Sequence, residues 1–124
     1  MNHSTAFLTL VNQIRKNIAE STIDGLVNQL HREKELILID VREESEYENG
    51  HIPGAIWLGK GIIERDIEMM IPEKKTEIWL YCGGGYRSVL AADNLQKMGY
   101  TRVVSVDGGF KAWASSGHEV VKPD

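Results

Sequence analysis

Glu77-Ile78-Trp79-Leu80-Tyr81-Cys82-Gly83-Gly84-Gly85-Tyr86-Arg87-Ser88 sets the architecture of this chain. The first five residues are an apolar run of strand formers, short and unbroken, as in a strand covered on both faces of a parallel sheet. The run ends at a cysteine followed by three glycines. Beyond them Leu90, Ala91, Leu95 and Met98 recur at helical spacing, and Gly99 offers the left-handed residue that stops a helix. A strand passing through a tight loop into a helix is the building unit of a parallel α/β sheet.

Four features coincide in that loop. The thiol of Cys82 sits at the carboxyl end of a buried strand, where open α/β sheets bind ligands. Gly83, Gly84 and Gly85 can take positive φ, so that successive amides turn inward as an anion-binding nest. The helix that follows directs its N-terminal dipole at the sulfur. Arg87 adds a permanent positive charge about one turn into that helix. All four favour the thiolate over the thiol, and a persulfide, Cys82–S–S⁻, is a species such a cradle would hold. A small buried hydrophobe and a permissive turn would explain the cysteine and the glycines separately. They would not explain why strand, thiol, glycines, arginine and helix start fall within seven residues. A phosphate-binding P-loop is excluded, because no lysine follows the glycines.

Outward from the loop, strands and helices alternate. Leu36 to Ile39 reads as a second buried strand running into Asp40-Val41-Arg42, Ala55 to Leu58 as a brief strand after the Pro53-Gly54 turn, and Arg102 to Val106 as another. Helices are expected over Glu43 to Glu48, stopped by Asn49-Gly50, over Ile62 to Ile71, stopped by Pro72, and after Asp107-Gly108-Gly109, with Phe110 and Trp113 buried and Gly117 closing it. Ser21 and Asp24 form an S-x-x-D helix start, with Leu26, Val27 and Leu30 on its buried side. Phe7, Leu10, Val11, Ile14 and Ile18 make an N-terminal amphipathic stripe, expected to pack on the domain rather than on a partner.

The chain has 124 residues, 14 basic and 18 acidic, for a net charge of −4. That length suits one domain. The mild acidity argues against a nucleic-acid partner, and no run of about 18 apolar residues suggests a membrane span. One cysteine excludes an internal disulfide and a cysteine-built metal cage. No cofactor is called for, and His3, His31 and His118 lack metal-ligand spacing, so no metal is assigned. The first ten residues carry no basic, apolar export signal, and a free thiol fits a reducing cytoplasm.

Three separated segments resemble the rhodanese-like sulfurtransferases: Asp40-Val41-Arg42-Glu43 with Gly50-His51-Ile52-Pro53-Gly54-Ala55; Cys82 to Ser88; and Asp107-Gly108-Gly109-Phe110 with Trp113. The resemblance implies a five-stranded parallel sheet flanked by helices on both faces. Residues 18–124 would form that domain and 1–17 an added N-terminal helical extension. It implies that Cys82 accepts a sulfane sulfur from thiosulfate or a protein persulfide and passes it to cyanide or a thiol. Gly83, Gly84, Gly85, Tyr86, Arg87 and Ser88 would then form the substrate-binding loop. The Cys-x₄-Arg ring is one residue shorter than the Cys-x₅-Arg loop of related phosphatases and arsenate reductases, which makes those activities the lesser expectation. A non-catalytic binding or sulfur-relay module is the other alternative. Thiosulfate-using members often place a basic residue after the cysteine, where this chain has Gly83. Tandem-domain members hold the donor with an arginine where this chain has Glu46. The mercaptopyruvate-type loop shares Gly83 and Gly85 but not Gly84, Tyr86 or Arg87.

Asp40 and Arg42 are expected to support the site as a structural ion pair, and His51 to hydrogen-bond loop backbone rather than act as a base. Trp57, Trp79 and Trp113 read as core or pocket wall, Tyr86 as a residue at the pocket mouth, and Glu43 to Glu48 as a solvated helix face.

Overall fold

The computed structural model describes residues 2–123. In chain order it contains α1 (Thr5–Arg15), β1 (Ala19–Ser21), α2 (Ile23–Arg32), β2 (Ile37–Asp40), α3 (Glu44–Glu48), β3 (Ile56–Trp57), α4 (Ile63–Met70), β4 (Ile78–Tyr81), α5 (Arg87–Lys97), β5 (Val103–Val106) and α6 (Gly109–Ser115). The five strands form one sheet in the order β1-β5-β4-β2-β3, and every pairing is parallel. β4, the strand that leads into the cysteine, lies in the middle.

Alternation along the strands divides the core in two. Ile78 and Leu80 of β4 and Ile39 of β2 face Val11 of α1, Ile63 and Ile67 of α4, and Val89, Ala92 and Leu95 of α5. Trp79, Tyr81 and Leu38 face Ile23 and Leu26 of α2 and Trp113 of α6. Helices therefore cover both faces, as the continuous apolar runs require. Among the described residues no helix is long and apolar enough to cross a membrane.

Several local expectations are corrected. β1 is a fifth strand with no apolar run: Ala19-Glu20-Ser21 is held at the sheet edge by main-chain pairing with Val104 to Val106. The α2 cap is Thr22, whose hydroxyl accepts from the Gly25 amide at 3.1 Å, because Ser21 is committed to the sheet. On α1, Val11 is fully buried and Phe7 and Ile14 pack against the core, but Leu10 is 47% exposed. The helix packs on α5 of its own chain.

Candidate active site

Cys82 directly follows β4 and its side chain is buried. The loop after it is held open from outside. Cys82 O accepts from Phe110 N at 2.7 Å and Gly83 O from Lys111 N at 2.9 Å, both at the start of α6. Gly85 O accepts from Arg15 Nη2 of α1 at 3.0 Å. The N–H and C=O of a trans peptide point opposite ways, so the amides of Gly83, Gly84 and Tyr86 are turned to the other side of the ring. Two glycines make this approach feasible. Gly85 has φ +95° and a Cβ there would lie 3.0 Å from Gly108 N. Gly109 has φ +54° and a Cβ there would collide with Cys82 O.

The sulfur is ringed by donors. Gly85 N lies 3.2 Å and Ser88 N 3.4 Å from Cys82 Sγ, with the Ser88 hydroxyl at 3.5 Å. Ser105 Oγ of β5 donates to Ser88 Oγ at 2.8 Å, which leaves the Ser88 proton available to the sulfur. Ser88 and Ser105 are both fully buried. The expected amide cradle narrows in this state to two direct donors, Gly85 and Ser88, backed by a serine pair. Ser105 went unremarked in the sequence, although a lone hydroxyl in the apolar strand Val103-Val104-Ser105-Val106 is a readable signal.

Arg87 is the first residue of α5, not one turn inside it. Its Nη1 donates to Glu46 Oε1 at 2.8 Å and its Nη2 to Oε2 at 3.2 Å. The hydrogen bond to Glu46 raises the Arg87 pKa, and the bond from Arg87 lowers that of Glu46. The acidic segment is thus not simply a solvated face, because Glu46 reaches back across the loop. Cys82 lies in a cavity of about 470 Å³ walled by His3, Phe7, Glu46, Gly84, Tyr86 and Arg87. Tyr86 lines its wall, with its ring 4.6 Å from that of His3 and 5.4 Å from the Arg15 guanidinium carbon.

Asp40 and Arg42 do not line that cavity. Arg42 Nε and Nη2 donate to Asp40 Oδ1 and Oδ2 at 2.7–3.1 Å, and Nη2 also donates to Gly50 O at 2.7 Å. The guanidinium lies 4.2 Å from the Phe110 ring centroid, so the pair ties β2 to the loop before β3 and to α6. His51 Nδ1 is 3.0 Å from Tyr47 O, a backbone contact. Trp57 Nε1 donates to Arg42 O at 2.8 Å. Trp79 and Trp113 are buried in the α2–α6 half of the core, and Trp57 is half-buried.

Residues 22–116, from the cap of α2 to the end of α6, match the model of the rhodanese-like domain. The chain belongs to the rhodanese-like family. A protein named "Sulfurtransferase" from Allochromatium vinosum is 33% identical over 107 residues, covering 86% of this chain and 98% of that one. "Putative sulfur carrier protein YrkF" of Bacillus subtilis is 31% identical over 97 residues, 78% of this chain but only 51% of that protein's length. Among solved structures, a protein of unknown function from Rhodopseudomonas palustris, described as a possible tyrosine phosphatase, superposes with a TM-score of 0.84 at 27% identity over 98% of both chains. Within this rhodanese-like chain, α1 lies outside the matched residues yet supplies Arg15 to the loop and Phe7 to the cavity wall.

Proposed function

We propose that this protein is a sulfurtransferase that carries sulfane sulfur as a persulfide on Cys82. The Cys82 thiolate attacks the outer sulfur of thiosulfate, the S–S bond breaks, and sulfite leaves with the bonding pair. The persulfide Cys82–S–S⁻ remains. Attack of cyanide on its outer sulfur releases thiocyanate and restores the thiolate, and a thiol acceptor takes the sulfur in the same way. An ionised nucleophile needs no general base, in keeping with a His51 engaged by backbone.

The observation that carries this reading is the set of donors on one sulfur: two amides and a hydroxyl converge on Cys82 Sγ at the floor of a cavity. Such preorganised donors stabilise anionic sulfur before and after transfer. With one cysteine in the chain, no second thiol can resolve the persulfide, so the sulfur leaves to an external acceptor, and a reducing cytoplasm suits that chemistry. The sulfurtransferase and sulfur-carrier names of the relatives support the same class. Cys82→Ser is expected to abolish thiosulfate:cyanide turnover, and unchanged turnover would overturn the proposal.

The likeness to a possible tyrosine phosphatase raises a second reading. The six-residue ring Cys82 to Arg87 argues against it, because a tetrahedral oxyanion needs the larger loop. Hydrolysis of a small aryl phosphate, lost in Cys82→Ser, would favour it.

A further inference from the structure

We infer that Glu46 sets the class of sulfur donor: it cancels the charge of Arg87 in the cavity wall, so that persulfides without net charge load Cys82 in preference to small dianions. The inference rests on the sulfurtransferase proposal and names the substrate class of that same site.

Arg87 is the cation that an anionic donor would seek, and it is already taken. Both of its terminal nitrogens are bonded to the two oxygens of Glu46. The carboxylate is itself fixed, because Glu46 Oε1 also accepts from Glu43 N at 3.0 Å in a reciprocal capping box at the start of α3. Its pKa is lowered chiefly by the Arg87 hydrogen bond, against the raising effect of burial, so it stays ionised at neutral pH. Arg87 and Glu46 are the two formally charged side chains in the wall beside Cys82, and their charges sum to zero. The remaining wall is largely aromatic: His3, Phe7 and Tyr86.

The reacting charges make this neutrality matter. A thiolate and thiosulfate bring three negative charges together, and Glu46 cancels the Arg87 charge that would otherwise offset one of them. A protonated persulfide R–S–SH brings only the one charge of the thiolate. In that reaction the Cys82 thiolate attacks the outer sulfur, the S–S bond breaks, and R–S⁻ leaves. The proton on the transferred sulfur passes to R–S⁻, leaving Cys82–S–S⁻ and R–SH. No oxidant or reductant is required.

The test compares thiosulfate with 2-hydroxyethyl persulfide, which carries no charge in the protonated form that reacts. Rates of sulfur loading onto Cys82 are read by intact mass for the wild type, Glu46→Gln and Glu46→Ala. Both variants are expected to raise the thiosulfate-to-persulfide rate ratio about tenfold, the lower end of what a charged cleft wall does to association. Gln keeps a capping-box acceptor, and a ratio of two rates on one sample cancels any loss of folded protein. An unchanged or lowered ratio in the variants, with both donors loading the wild type, overturns this inference alone. Loading of the wild type by neither donor overturns the sulfurtransferase proposal and this inference with it.

Discussion

Arg42–Asp40 and Arg87–Glu46 are the same chemical pair in two settings. Both bring an arginine fork against a carboxylate near the ends of the central strands. The side chains of the first pair are 5% and 0% exposed, those of the second 33% and 37%. Arg42 is also bonded to Gly50 O and stacked against Phe110, so nothing in its surroundings leaves it free for a ligand. Burial opposes its charge, but hydrogen bonds and attraction from Asp40 outweigh that and leave its pKa raised. Arg87 has solvent on one side and the cavity on the other. A buried pair fixes a frame because neither partner can be lost alone, whereas a half-exposed pair contributes little stability and can exchange partners.

The largest expected effect breaks the first pair. Arg42→Met leaves the Asp40 carboxylate buried without its cation and should cost about 3–5 kcal/mol in urea unfolding. A loss below about 1 kcal/mol, the range of exposed pairs, would erase the distinction. Arg87→Ala should lower stability by less than about 1 kcal/mol while slowing thiosulfate loading about tenfold, because it leaves the Glu46 carboxylate uncancelled in the wall beside Cys82. Equal loading by this variant would mean that the loop amides and Ser88 suffice. Ser105→Ala removes the donor behind Ser88 and should cost about 1 kcal/mol of stability, with loading slowed severalfold. Full-rate loading would remove Ser105 from the proposed site.

The smallest effect is on pH dependence. Because the folded-state pKa of Glu46 is lowered, its ion pair contributes stability that is present above the unfolded value of 4.5 and is lost as pH falls through the folded value. Melting temperature followed downward from pH 6 should therefore drop slightly more steeply below 4.5 in the wild type than in Glu46→Gln. Parallel curves would show that Arg87 does not stabilise the ionised carboxylate.

These two pairs also mark how far the sequence could be read. Asp40 and Arg42 are two residues apart at a strand end, and a structural pair was the natural expectation. Glu46 and Arg87 are 41 residues apart, and no periodicity links them. The β4–loop–α5 unit was legible because a buried strand, three glycines and a helix stripe each leave a local pattern. β1 was not, because an edge strand held by backbone bonds to β5 needs no apolar run. The contact of Arg15 with Gly85 O spans 70 residues and depends on how α1 packs, which an amphipathic stripe alone does not specify.

The central claim is that Cys82 carries sulfur, and the intact mass of the purified protein after incubation with a sulfur donor tests it most directly. The expected result is a gain of one sulfur atom on Cys82, lost again on adding cyanide and absent in Cys82→Ser. No gain with thiosulfate, 2-hydroxyethyl persulfide or a protein persulfide, or a gain that survives Cys82→Ser, would contradict it.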